Sequence, residues 1–206
     1  MKVIFGTSNK RKIEDLENII NNLKLDIEVL SLSEIGWDQG EIDENGNSLE
    51  ENSLIKAKRV FDFCRENNIE YPIITDDAGL FCDFLNGEPG IYTARYADYE
   101  LSLNPKLPKY QCVIKLLNNL KDVSNRKASY KCCVTCMMPD GTYFQDFGQS
   151  NGYIAENIIG ELKKPYFYSV FILEGYNKVF SELDEKELTN TYRYNTLKKI
   201  LIKLDN

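Results

Sequence analysis

Asp76 and Asp77 stand side by side after the apolar run Ile73-Ile74-Thr75, and adjacent carboxylates repel unless a cation or a basic partner is near. If Tyr71–Thr75 is a buried parallel strand, the pair sits at its carboxyl end, where ligand crevices form in open α/β sheets. With Glu44, from the acidic run Glu41-Ile42-Asp43-Glu44-Asn45-Gly46, they make a hard oxygen site of the kind Mg2+ takes alongside phosphate and water. The plainer alternatives are a helix-capping pair for the aspartates and solvated surface for the acidic run. The chain opens on a third charged stretch, Thr7-Ser8-Asn9-Lys10-Arg11-Lys12, between an apolar run and residues at helical spacing. Backbone N–H groups and the dipole at a helix start favour an anion. Thr7, Ser8 and Asn9 can donate hydrogen bonds there, and Lys10, Arg11 and Lys12 can neutralise charge. The stretch is not a Walker loop, since the Gly-x4-Gly-Lys-[Ser/Thr] pattern is missing. An ordinary N-cap followed by solvated charges is the other reading. Lys56, in an otherwise apolar turn with Leu54, Ile55 and Ala57, is a candidate to reach a phosphate. Phosphate, metal and carboxylate in one cleft suit a Mg2+-assisted attack of water on a phosphoryl group.

Composition narrows who can do this work. The 206 residues include no histidine, which excludes Ser-His and Cys-His catalysis and every His metal site. Acid–base and metal chemistry fall to carboxylates, Lys, Tyr or Cys. Six cysteines include the lone pair Cys133/Cys136 at CxxC spacing, with no second pair to complete a zinc site, so buried, reduced, inert thiols are expected. The net charge of −7 argues against nucleic acid as a partner but leaves room for a small anion in a local basic pocket. No apolar run approaches the ~18 residues of a membrane span and no signal peptide is visible, so the expected location is the cytoplasm.

The elements that must position these residues alternate at first. A strand at Lys2–Phe5 leads to a helix over Lys10–Leu23, a strand over Ile27–Leu30, a polar loop from Gly36 to Ser48, a helix over Leu49–Glu66 and the strand Tyr71–Thr75. This βαβ pattern implies a parallel sheet flanked by helices. A helix over Tyr110–Leu120 follows. Then come hairpin-like strands at Ala128–Met138, Thr142–Phe147 and Gly152–Glu156, with Pro139-Asp140-Gly141 as a turn. An aromatic strand over Pro165–Leu173 and an amphipathic C-terminal helix complete the pattern. The expected fold is mixed α/β, an elongated mixed β-sheet flanked by helices, in two lobes with a central cleft.

On these residues the chain resembles the Ham1-like inosine triphosphate pyrophosphatases, which cleave non-standard purine nucleoside triphosphates to the monophosphate and pyrophosphate. The strongest match is Thr75-Asp76-Asp77-Ala78-Gly79-Leu80, continuing through Asp83, Leu85, Gly87, Pro89-Gly90 and Tyr92-Thr93-Ala94-Arg95-Tyr96. Thr7-x-Asn9-x-x-Lys12 and Glu44-x-Gly46 with Glu51-Asn52 and Lys56-Ala57 match two further motifs, and the similarity covers nearly the whole chain as a single domain over 1–206. The resemblance implies Mg2+ on Glu44 and Asp77, with Asp77 also the catalytic acid–base residue. It places Thr7, Asn9, Lys12, Lys56, Ala78 and Lys178 against the substrate, and it implies a homodimer. Of the three consecutive cations, Lys12 matches the phosphate ligand, while Lys10 and Arg11 are left to solvent.

The base end departs from the family pattern. Where the family carries Phe-Gly-Tyr/Trp-Asp-Pro, this chain has Pro165-Tyr166-Phe167-Tyr168-Ser169, and the carboxylate is gone. Tyr166 and Tyr168 leave an aromatic wall on which a purine can stack. Where the family has Ser-His-Arg, the chain has Thr191-Tyr192-Arg193, keeping an Arg that can donate to a 6-oxo group. The implied function is hydrolysis of ITP, dITP or XTP. The alternatives are the same chemistry on other bases, or a nucleotide-binding protein that has lost catalysis.

Overall fold

β1 (Lys2–Phe5) buries Val3, Ile4 and Phe5 completely, as a strand covered on both faces must. It runs parallel to β2 (Glu28–Ser31) on one side and to β3 (Ile73–Cys82) on the other, with Lys2 opposite Glu28 and Phe5 opposite Ile74. The connections are α1 (Lys10–Leu23) and α2 (Leu49–Glu66), whose limits coincide with those read from hydrophobic spacing. Both start on side-chain caps: Asn9 accepts the Arg11 N–H and Ser48 accepts the Glu51 N–H. Glu50 and Glu51 favour the first turn of α2, and Arg65 favours its last.

The structure is a computed structural model and describes residues 1–108 and 110–205. Among these residues β4 (Pro89–Gly90) pairs antiparallel with β3, and β5 (Lys127–Met137), β6 (Tyr143–Ile154) and β7 (Phe171–Leu173) extend the sheet in the order β2-β1-β3-β5-β6-β7. β7 is antiparallel to β6, so the sheet is mixed and the α/β class expected from the sequence holds. The remaining helices are α3 (Asp98–Leu103), α4 (Gln111–Asn119), α5 (Glu185–Leu188) and α6 (Tyr192–Asp205). None is long and apolar enough to cross a membrane among the described residues.

The chain divides into two compact units. The first holds Met1–Asp77, Cys132–Gly148 and α6. On one face of its sheet, Ala57, Val60, Phe63 and Cys64 of α2 pack with Ile4, Ile73 and Met137. On the other, α1 and α6 pack against each other. The second holds Ala78–Lys131 and Gln149–Thr191, and its core includes an aromatic cluster of Tyr130, Tyr168, Phe171 and Phe180 with ring centroids 4.8–5.8 Å apart.

Several strand limits differ from the sequence reading. β3 does not stop at Thr75 but continues through Cys82, so the two aspartates lie inside a strand. The expected strand over Pro165–Leu173 is a 3-10 turn over Tyr166–Ser169 followed by the short β7. The expected strands Thr142–Phe147 and Gly152–Glu156 merge into the single strand β6, which begins at Tyr143 and ends at Ile154. Its glycines look like breaks in the sequence, but they mark close backbone approaches. A Cβ on Gly148 would collide with the Tyr192 carbonyl and Thr196 Oγ1, and one on Gly152 with the Ile172 carbonyl and the Phe171 ring. Gly148→Ala is therefore expected to lower stability by about 1–3 kcal/mol through overpacking against α6. Urea denaturation compared with wild type reads this directly.

Candidate active site

Side chains along a strand alternate between the two faces of a sheet, so Asp76 and Asp77 point opposite ways although they are neighbours in sequence. Thr75 and Asp77 face α2, and Asp76 faces α1 and α6. This eases the repulsion expected of adjacent carboxylates, which still contributes to the raised pKa of Asp77, and gives each a separate environment.

Asp76 is buried and holds two cations. Lys12 Nζ donates to both of its oxygens at 2.9 and 3.1 Å, and Arg193 Nη2 lies 2.9 Å from Oδ2. Burial alone would raise the pKa of this carboxyl, but Arg193, Lys12 and Lys56 outweigh it and hold it far below the usual carboxylate range. Grouping Asp76 with the metal oxygens is thus corrected: its oxygens are committed to α1 and α6. Burial pulls Lys12 below the ordinary lysine value even with Asp76 beside it. An ammonium penalised in this way gains from a further anion.

Asp77 belongs to a different set. Its Oδ2 accepts from Asn52 Nδ2 at 3.1 Å, and its Oδ1 lies 3.4 Å from Lys56 Nζ. The same ammonium donates to Glu44 Oε1 at 2.9 Å. Burial raises the Asp77 pKa above that of an ordinary aspartate, with Lys56 opposing and Glu44 reinforcing the shift. For Lys56, burial works against the charge, but Asp77, Asp76 and Glu44 together hold its pKa above the ordinary value. Two carboxylates from separate elements therefore converge on one positive charge, the arrangement a hard divalent cation takes. No group of three or more His, Cys, Asp or Glu is placed to hold a metal among the described residues, so further oxygens would come from phosphate and water.

The opening loop is a helix cap by geometry. Asn9 Oδ1 accepts the Arg11 N–H at 3.1 Å, and Thr7 Oγ1 accepts the Asn9 N–H at 3.2 Å. Ser8, Asn9 and Lys10 are exposed, while Lys12 turns inward to Asp76. Tyr192 and Arg193 begin α6, with the Tyr192 ring buried and its carbonyl accepting from Thr196 Oγ1 at 2.7 Å. Ala78, Tyr166, Tyr168 and Lys178 belong to the second unit. There Tyr168 packs on Phe180 at 4.8 Å, Lys164 lies 5.9 Å from the Tyr166 ring, and Lys178 is exposed and paired with Glu187 at 2.8 Å. The six cysteines are free, five of them buried, and burial pushes the thiols of Cys133 and Cys136 up to about 12, in keeping with an inert role.

Asn52 stands in one of the family motifs, and the sequence alone assigns it no task. The available signal was an amide inside a helix, where Asn is unfavourable, one turn before Lys56 and so on the same face.

The family model described as the Ham1 family matches residues 3–202. The chain belongs to the Ham1 family. A dITP/XTP pyrophosphatase of Leuconostoc mesenteroides is 34% identical over 190 residues, covering 91% of this chain and 88% of that protein. One of Clostridium perfringens is 33% identical over 202 residues, covering 97% and 95%. Among solved structures, the Staphylococcus aureus Ham1 protein superposes with a TM-score of 0.79 at 27% identity, over 99% of this chain and 98% of that one. A HAM1 protein from Coxiella burnetii, 22% identical, shows the same fold with a TM-score of 0.79 over 99% and 98% of the two chains.

Within this Ham1 fold, Asp76→Asn leaves the half-buried cations Lys12 and Arg193 facing an amide in place of the carboxylate, and a loss of about 3–5 kcal/mol at pH 7 is expected. Because the Asp76 pKa is depressed by folding, its contribution is present above the unfolded value of about 3.9 and is lost as pH falls below it. Urea denaturation across pH should therefore show the gap between wild type and Asp76→Asn closing at acid pH.

Proposed function

We propose that this protein hydrolyses the triphosphates of non-standard purine nucleosides, such as ITP, dITP and XTP, to the monophosphate and pyrophosphate, with Mg2+ as cofactor. The observation that carries the reading is the convergence of Glu44 Oε1 and Asp77 Oδ1 on the Lys56 ammonium. Similarity to the dITP/XTP pyrophosphatases over nine-tenths or more of this chain supports it. On this reading the protein is a hydrolase of triphosphate anhydrides.

Glu44 and Asp77 would hold the metal, and a bound Mg2+ supplies neutralisation of phosphate charge and orientation of the triphosphate. Lys56 reaches the same point and pairs with phosphate oxygens. Lys12 contributes from the other side of β3, fixed by Asp76 and close enough to Lys56 for the two charges to influence each other. The start of α1, with Thr7 half-buried and Ser8, Asn9 and Lys10 exposed, offers side-chain donors and positive dipole to the remaining phosphate charge. Asp77 accepts the proton of the water that attacks the α-phosphorus, and the bond to pyrophosphate breaks. Burial suits it to this task, since a base works best when its pKa is brought toward the working pH. Arg193, a donor beside Asp76, is the residue suited to a 6-oxo purine. The resemblance extends the reading to a cytoplasmic homodimer acting on a free nucleotide.

A second reading keeps this chemistry and changes the base. Tyr168, or Ser169 with a shift of one, stands where the family pattern has a carboxylate; the Tyr168 ring is packed into the aromatic cluster of the second unit and Ser169 is buried. Loss of a hydrogen-bonding partner in a discriminating pocket shifts selectivity by orders of magnitude. Pyrophosphate release across ITP, dITP, XTP and the standard nucleotides, with and without Mg2+, separates the two, and preference for a standard base favours the second.

Asp77→Asn is expected to lower turnover at least about 100-fold, the scale of a lost general base, while its thermal unfolding stays close to wild type. Near-normal pyrophosphate release from that variant would sink the assignment.

A further inference from the structure

Asn52 is completely buried, and its amide is engaged at both ends. Oδ1 accepts the Gly46 N–H at 2.9 Å, and Nδ2 donates to Asp77 Oδ2 at 3.1 Å. The amide has only one workable orientation. Reversed, its NH2 would face an N–H and its carbonyl oxygen would face a carboxylate. Gly46 is packed against this amide so closely that a Cβ would sit 2.8 Å from Asn52 Oδ1 and 2.7 Å from Glu51 Cβ. Glu51 adds a second tie, accepting the Asn47 N–H at 2.7 Å. The loop that carries Glu44 is thus docked on the first turns of α2, and the residue that docks it also grips Asp77. With Oδ2 held by Asn52, Asp77 is left to turn Oδ1 toward the point that Glu44 Oε1 also addresses.

We propose that Asn52 is a positioning residue for a divalent-cation site, setting the spacing of the Glu44 and Asp77 carboxylates without touching the substrate. The inference rests on the functional reading given above for those two carboxylates. Outer partners of metal ligands commonly matter in this way, because they fix which oxygen is offered and where.

Ser53 supplies the control. It is equally buried on the same helix, and its hydroxyl contacts Thr135 Oγ1 at 2.7 Å and the Thr75 carbonyl at 3.2 Å. Asn52→Ala and Ser53→Ala each remove buried hydrogen bonds, so both are expected to lower the Tm. Asn52→Ala alone is expected to raise the Mg2+ concentration for half-maximal pyrophosphate release by about 10–100-fold and to blunt the rise in Tm that Mg2+ produces without nucleotide. At saturating Mg2+ the KM for nucleotide should stay close to wild type. If Asn52→Ala does not fold, Gly46→Ala presses on the same hydrogen bond from the opposite side and is expected to shift the Mg2+ titration in the same direction. Superimposable Mg2+ titrations of Asn52→Ala (or Gly46→Ala), Ser53→Ala and wild type would overturn the proposal. A wild type that releases no pyrophosphate from any nucleotide overturns the functional reading instead, and the Mg2+ dependence of Tm still decides the role of Asn52.

Discussion

The site depends on one constraint, the two-residue period of β3. Asp76 and Asp77 are as close in sequence as carboxylates can be, and a turn or helix cap would have set them against each other. Inside a strand they point to opposite faces, where α1 and α6 meet one and α2 meets the other. Each buried charge then needs its own partners, because an unpaired one would cost several kcal/mol. Lys12 and Arg193 serve Asp76, while Lys56 and Asn52 serve Asp77. The layered fold around β3 is what brings cations and an amide from three helices to adjacent residues.

The two environments push the carboxyls apart in character. Asp76, between two cations, is held ionised, which ties α1 and α6 to the strand. Asp77 is left with a pKa above the ordinary value, because burial outweighs the help from Lys56. Titratable neighbours driven in opposite directions are the usual signature of divided labour. Here one carboxyl is clamped by two cations, and the other shares a single ammonium with Glu44 and is held by an amide.

Much of this could be read from residue types, and the misreadings have a common cause. Helices α1 and α2 were legible because capping residues and apolar spacing agree locally. The end of β3 was not, since Thr75-Asp76-Asp77-Ala78-Gly79 has the composition of a loop and becomes strand only where flanking elements neutralise it. β6 reads as two strands for the same reason: Gly148-Gln149-Ser150-Asn151 between them has the composition of a loop until the Tyr192 carbonyl facing Gly148 is in view. Glu44, Lys56 and Asp77 stood out as charges in apolar or polar runs, and the structure brings them together. Asn52 carries no charge and makes its contacts with residues at other points of the chain, so its task is visible only in three dimensions.

What holds α2 in register on β3 is a buried bond from the Thr75 hydroxyl to the backbone of α2, which replacing the Ser53 side chain leaves in place. Ser53 Oγ meets Thr135 Oγ1 at 2.7 Å, and Thr75 Oγ1 donates to the Ser53 carbonyl at 2.7 Å. All three residues are fully buried, so each bond is made in a low dielectric and each unmade one would be costly. The bond from Thr75 to the Ser53 carbonyl fixes how far α2 is advanced along β3. A helix rises 1.5 Å per residue, so a slip of one residue would carry Asn52 and Lys56 off Asp77. Apolar packing of Ala57, Val60 and Phe63 tolerates such small slides better than directional bonds do. The hydrophobic core therefore brings the helix to the sheet, and the Thr75 hydroxyl, bonded to the Ser53 carbonyl, sets the register on which Asn52 and Lys56 meet Asp77.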